Sequence, residues 1–125
     1  MSYTRLYATD DGESHFEHVE VDLVLNDYAP PAPPLELSES SKATQFGFMK
    51  APAGWQSDWH PSSARSLFVV LSGEWEVTAS DGQSKRFQVG EVLLVEDSSG
   101  KGHTSRVISE SLALMLELGP ITDST

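Results

Sequence analysis

The chain has no cysteine. That excludes disulfides, thiolate metal sites and a cysteine nucleophile, and leaves His, Asp and Glu to hold any metal. Basic residues are scarce: 8 Lys and Arg stand against 19 Asp and Glu, for a formal net charge of −11. An acidic surface with no local Lys/Arg cluster repels phosphate backbones and anionic bilayers, so neither nucleic acid nor membrane is an expected partner. Long apolar runs are missing too. The apolar-rich segments 67–71 and 112–118 are too short to span a bilayer. The first ten residues carry no apolar stretch of signal-peptide length, so the expected location is cytoplasmic. No segment holds a sustained 3.6-residue period. No glycine-rich loop opens a helix, which removes support for nucleotide binding, and no elbow motif frames a serine nucleophile.

What remains is a chain of 125 residues, the length of one domain with one core. Short strand-like segments recur with turn signals between them. Residues 2–9 alternate and suit a short edge strand. Residues 19–25 carry Val19, Val21 and Leu23 at period two. Pro30, Pro31, Pro33 and Pro34 follow. Proline lacks the ladder donor, so this stretch is expected to be an extended connector crossing the barrel surface. Further strands are expected at 35–37, 43–50, 65–71, 74–80, 85–89, 92–95, 103–108 and 111–118. Asp81-Gly82 is a hairpin signal. The pattern predicts an all-β sandwich or barrel. The expected organisation is N-terminal strands and proline-rich connector packed on the barrel over 1–40, barrel core over 41–119, and a flexible tail over 120–125.

Two blocks organise the chain. In the first, Gly54 is followed after five residues by His60, then Ser62, Ser66 and Gly73. In the second, Gly90 is followed after five residues by Glu96, and Gly100 precedes His103 by two residues, with Val107 four further on. These spacings resemble the two motifs of the cupins, small antiparallel jelly-roll β-barrels. In the first motif Ser62 and Ser66 stand where the family has a second His and a Glu. In the second, Glu96 stands for Pro, Val107 for Asn, and the loop is two residues longer. The resemblance implies a cupin-like barrel in which His60 and His103 meet.

Asp58 precedes His60 by two residues, so an extended loop turns both side chains to one side. Asp58, His60 and His103 are therefore a candidate two-His-one-carboxylate metal set, for a divalent ion such as Fe, Mn, Ni or Zn. Glu96 and Asp97 are alternative oxygen donors. The competing reading is a pair of hydrogen-bonded histidines with no metal. Trp55, Trp59, Ser62, Ser66 and Phe68 are candidate ligand-binding residues, the tryptophans either as stacking walls or as rim packing. His15 and His18 suit a surface strand, and Arg65 and Arg106 ordinary ion pairs. Residues 67, 69 and 71 form an outward apolar row beside the inward Phe68 and Val70, which predicts cover by N-terminal strands or by a second subunit, a homodimer. The leading expectation is a binder of a small organic molecule with no reaction assigned. The alternatives are a metal-dependent oxygenase, isomerase or lyase, and a non-catalytic scaffold or sensor.

Overall fold

The computed structural model describes residues 1–119. The expected tail, 120–125, lies outside them. The described residues form nine strands, in order β1 (Ser2–Ala8), β2 (Ser14–Glu20), β3 (Val24–Asn26), β4 (Leu35–Leu37), β5 (Ala43–Ala51), β6 (Ser66–Ala79), β7 (Ser84–Phe87), β8 (Val92–Glu96) and β9 (His103–Leu118). The described residues contain no helix, and none that could cross a membrane. Seven strands make one sheet in the order β2-β1-β8-β6-β9-β5, with β7 also paired to β6. Among the described residues β3 and β4 pair only with each other.

The sheet doubles over because its two longest strands bend. β6 and β9 run antiparallel from Ser66↔Glu117 to Ala79↔His103, with register shifts between Val70 and Trp75. On its other edge β6 pairs first with β8 and then with β7. Each strand expected as two at 65–71 and 74–80, and at 103–108 and 111–118, is thus one strand carried through the bend. The shifts also change which side chains face in. Phe68 and Val70 are core residues before them, and Trp75, Val77 and Ala79 after them. The parity changes from even to odd, so an apolar face stays inward on both sides of the bend. Gly73 sits at this bend with φ +79°, and a Cβ there would fall 2.3 Å from the carbonyl oxygen of Glu110. Only glycine fits that crossing of the two strands.

The opposite face of the sheet is apolar as well. Register places Phe46 beside Leu116, Leu67 and Leu94 in one row, and Phe48 beside Leu114 and Val69 in the next. Phe46 and Phe48 pack edge to face, ring centroids 6.2 Å apart. No strand of the described chain covers these rows.

Three expectations need correction. Segment 2–9 is not an edge strand: β1 lies between β2 and β8 and pairs with β8 in parallel. Its alternating Thr4 and Leu6 are buried, which an edge strand facing solvent would not require. The sheet is therefore antiparallel except at this pair. The proline-rich stretch does not cross the barrel. It forms the turn between β3 and β4, where the Ala32 amide donates to the Ala29 carbonyl at 2.9 Å. Proline fixes φ where turns need it, so the same residues serve a turn as well as a connector. Segment 19–25 is not one strand, since β2 ends at Glu20 and β3 begins at Val24.

A single carboxylate ties three strands and a loop together on the outer side of the sheet. Glu96, at the end of β8, accepts hydrogen bonds from Arg5 of β1 and from Arg65 just before β6, and its side chain is only 5% exposed. Arg5 also donates to Glu17 of β2 at 3.0 Å. Burial alone would raise the Glu96 carboxyl, but the hydrogen bonds and charges of Arg5 and Arg65 outweigh it and hold it below its ordinary 4.5. A depressed carboxylate contributes stability that is fully present above its unfolded value and lost as pH falls through its folded one. Folding stability should therefore decline on acidification below about pH 4.5. Chemical denaturation of the wild type and Glu96→Gln across this range checks it. The substitution is expected to cost about 1–3 kcal/mol at neutral pH and to flatten the acid limb.

Candidate functional site

The site begins with backbone. Residues 54–60 run alongside the first residues of β9, 103–107, and are hydrogen-bonded to them. The Gly54 amide donates to the Val107 carbonyl at 2.8 Å, Val107 donates to Trp55 at 2.8 Å, and Ser57 donates to Ser105 at 2.9 Å. The ladder ends in a reciprocal pair: His60 N–H to His103 C=O at 3.1 Å, and His103 N–H to His60 C=O at 3.0 Å. The two glycine-framed blocks are thus joined at their histidines. The imidazole centroids lie 4.7 Å apart, tilted by 53°.

Gly102 makes this junction possible. Its φ is +74°, and a Cβ there would meet the His60 carbonyl oxygen at 2.0 Å and the Pro61 nitrogen at 2.3 Å. Its own carbonyl accepts from the buried Ser14 Oγ at 2.8 Å. Ser14 in turn exchanges hydrogen bonds with Ser80, so the start of β2 and the end of β6 are fixed to the same turn. Sequence reasoning did not single out Gly102 or Ser14. A glycine directly before His103 was the available signal, and it was masked by Gly100, which matched the motif.

Each histidine has its Nδ1 engaged by an acceptor. His60 Nδ1 lies 2.9 Å from the Asp58 carbonyl oxygen. His103 Nδ1 lies 2.6 Å from the Asp97 carboxylate. A carbonyl and a carboxylate oxygen only accept, so each Nδ1 carries the proton. In the neutral ring each Nε2 is then left with its lone pair. Asp97 is fully buried. Its second donor is Ser62 Oγ at 2.8 Å, and its backbone carbonyl accepts the Ser62 amide at 3.0 Å. Ser62 therefore orients Asp97, which orients His103.

The rings border a cavity of about 320 Å³. Its walls are largely apolar: Trp55, Phe68, Trp75, Met49 and Met115 line it with both histidines. Trp75 stands edge to face against Phe68 at 5.1 Å and 81°, and against Trp55 at 6.0 Å. Its indole Nε1 is buried and has no hydrogen-bond partner among the described residues. Such a donor is costly to leave unpaired.

Of the expected ligand-binding residues, Trp55, Ser62, Ser66 and Phe68 line the cavity. Ser66 Oγ donates to the Ala64 carbonyl at 3.2 Å. Trp59 is not in the wall and is 53% exposed. It lies beside His60 in a chain segment held by backbone pairing, where neighbouring side chains diverge. Of the expected metal set, His60 and His103 come together and Asp58 does not join them. Asp58 is exposed, and its backbone carbonyl, rather than its carboxylate, reaches His60. Glu96 is committed to Arg5 and Arg65, and Asp97 to Ser62 and His103. No three His, Asp or Glu side chains among the described residues are grouped to hold an ion. Two imidazoles fall short of the three protein ligands usual for a catalytic metal, so no metal-dependent step follows from this donor set. His15 contacts Asp81 and Thr9, His18 contacts Glu20, and Arg106 pairs with Glu76, all away from the cavity.

No family model matches the chain, and no curated protein matches it. Solved structures share its fold. A conserved protein of unknown function from Streptococcus pyogenes superposes with a TM-score of 0.53 at 16% identity, over 68% of this chain and 72% of that one. A protein from Neisseria meningitidis gives 0.50 at 19% identity, over 80% and 83%. A cupin-2 domain containing protein from Shewanella frigidimarina gives 0.49 at 22% identity, over 60% and 70%. At these identities the likeness to the first two proteins concerns the fold alone. The architecture is an all-β, cupin-like jelly roll whose sheet stays open, with the two motif-like blocks meeting at His60 and His103.

Gly102→Ala should therefore act on the site and the fold together. The new methyl collides with backbone, not with a movable side chain, and the positive φ disfavours alanine. The expected loss is about 2 kcal/mol or more in chemical denaturation. The amides of His60 and His103 should also lose protection from hydrogen exchange before those of β8. A stable variant with unchanged protection would show that the close approach is dispensable.

Proposed function

We propose that this chain binds a small, largely apolar organic molecule in its cavity and holds a hydroxyl or N–H of that molecule on the Nε2 atom of His103, with the His60 ring beside it. The observation that carries this reading is the engagement of both Nδ1 atoms by acceptors, which leaves two adjacent lone pairs at the end of an aromatic chamber. The volume, about 320 Å³, falls at the lower end of the range for small-molecule sites. It supports a binder over a scaffold whose interior is filled by its own side chains. The Asp97–His103 pair has the form of a general base with an orienting carboxylate, which favours proton transfer as the chemistry if the bound molecule turns over. The metal-enzyme alternative requires Asp58, or another third ligand, to swing onto the pair.

Intrinsic fluorescence of Trp55 and Trp75 can report occupancy. The probes are a set of phenols and their methyl ethers. Phenols are expected to bind about tenfold more tightly than the ethers, the worth of one good hydrogen bond. His103→Ala should abolish that preference while leaving apolar binding largely intact, and Asp58→Ala should leave it unchanged. Equal binding of phenols and ethers would overturn the assignment of the histidines. Titration with Mn, Fe, Ni and Zn salts forms the second arm: tight metal binding lost in each of Asp58→Ala, His60→Ala and His103→Ala would replace this reading with the metal enzyme.

A further inference from the structure

The aromatic chamber opens into a second hollow. Met49, Ser63, Ala64, Ser66 and Met115 border the chamber and also border this neighbouring groove of about 460 Å³. The two histidines line only the chamber, whereas Gln45, Gly47 and Glu117 line only the groove. Strand register explains the continuity. Gln45 pairs with Glu117 and Glu117 with Ser66, while Gly47 pairs with Met115 and Met115 with Phe68. Partners across a ladder share a face, and so do residues two apart along a strand. Phe68 and Met115 belong to the chamber wall. Glu117, two residues past Met115, therefore lies on the same face about 7 Å further along β9.

Two observations give the groove a chemistry. Glu117 is half-buried. Its Oε2 accepts a hydrogen bond from the Gln45 side-chain amide, and it pairs with no Lys, Arg or His among the described residues. Gly47 supplies the room. It lies inside β5 without a positive φ, so no turn requires it. A Cβ at this position would meet nothing within 4 Å. A glycine in a strand interior weakens the strand, and one reason to keep it is the close approach of a ligand.

We propose that the bound molecule has two parts: an apolar head in the chamber, and a chain that passes Met115 over Gly47 and sets a protonated amine against Glu117. This rests on the reading of the chamber as a small-molecule site with His103 as its acceptor. It adds the class of ligand, a hydroxyl- or N–H-bearing apolar head joined to an alkylamine. The net charge of −11 attracts such a cation from a distance, and Glu117 fixes where it is held. An alcohol at the same place gains no charge pairing, and an acid meets a like charge.

Calorimetric titration of the intact protein tests the groove. The probes are phenols carrying a para alkyl chain of increasing length that ends in an amine, an alcohol or a carboxylic acid. Once the chain is long enough to pass Met115, the amine is expected to bind about three- to fivefold more tightly than the alcohol, the worth of a half-exposed ion pair. The acid should bind most weakly, and the lead of the amine should shrink as salt is added. Glu117→Gln should erase that lead. Glu20→Gln, which removes one charge from β2 at the other edge of the sheet, should leave it intact. Gly47→Val fills the groove and should weaken the long-chain amine while leaving a plain phenol unaffected. Circular dichroism shows that each variant is folded. His103→Ala separates the two readings: it should remove the preference for phenols over their methyl ethers and keep the lead of the amine. No lead for the amine, or a lead that survives Glu117→Gln, would overturn the groove even if phenols still outbind ethers. An amine lead that depends on Glu117 without any phenol preference would support the groove and overturn the role of His103. Failure of every probe to bind would overturn both.

Discussion

The site depends on five backbone hydrogen bonds between residues 54–60 and β9. They tie a loop alongside the start of β9 through isolated bridges at Gln56 and His60. Trp55 and His60, the two residues of this segment that line the cavity, are thereby tied to the sheet. The ladder can close only because Gly102 lets the His60 carbonyl approach within contact of its own α-carbon environment. Everything polar in the cavity follows from that approach. His103 faces His60 because their amides and carbonyls are exchanged, and Asp97 reaches His103 because the following loop is pinned through Ser62.

Two neighbouring acids divide the work of this region. Glu96 turns to the outer side, where two guanidinium groups neutralise it and hold β1, β8 and the start of β6 together. Asp97 turns the other way and meets only a hydroxyl and an imidazole. The alternation of a strand puts them on opposite sides, and the environment gives them different tasks. The first is a structural clamp whose contribution is coupled to pH. The second selects a tautomer.

Much of the fold was legible. The period-two runs marked most strands, and the glycine spacing of the two blocks brought His60 and His103 together. The bend in β6 and β9 was not, because Ser72-Gly73 has the composition of a turn whether the chain reverses or only shifts register. The parallel pairing of β1 was hidden because a central strand in a small barrel can carry the same alternation as an edge strand. For the site, Ser62, Ser66 and Phe68 were placed on one side by alternation along the chain from His60, and they line the cavity; Trp55, read as stacking wall or rim packing, lines it too. Asp58 and Trp59 did not, since side-chain direction in a loop depends on hydrogen bonds that spacing does not record. Asp97 entered the sequence reading as a metal donor. Its buried contact with His103 depends on the loop of residues 97–102, whose path no local pattern specifies.

The junction of the two histidines has an evolutionary side. The pair is held by main-chain atoms and by an absent side chain at position 102, not by the imidazoles. The backbone would deliver whatever side chain stands at 60 to the same point of the cavity, while the side chain at 103 must also satisfy the buried Asp97. The architecture is thus a socket with replaceable contacts. A lineage carrying it can change chemistry at positions 60 and 66 while the frame stays, since the Ser66 hydroxyl meets only the local Ala64 carbonyl, whereas Ser62 and His103 both hold the buried Asp97.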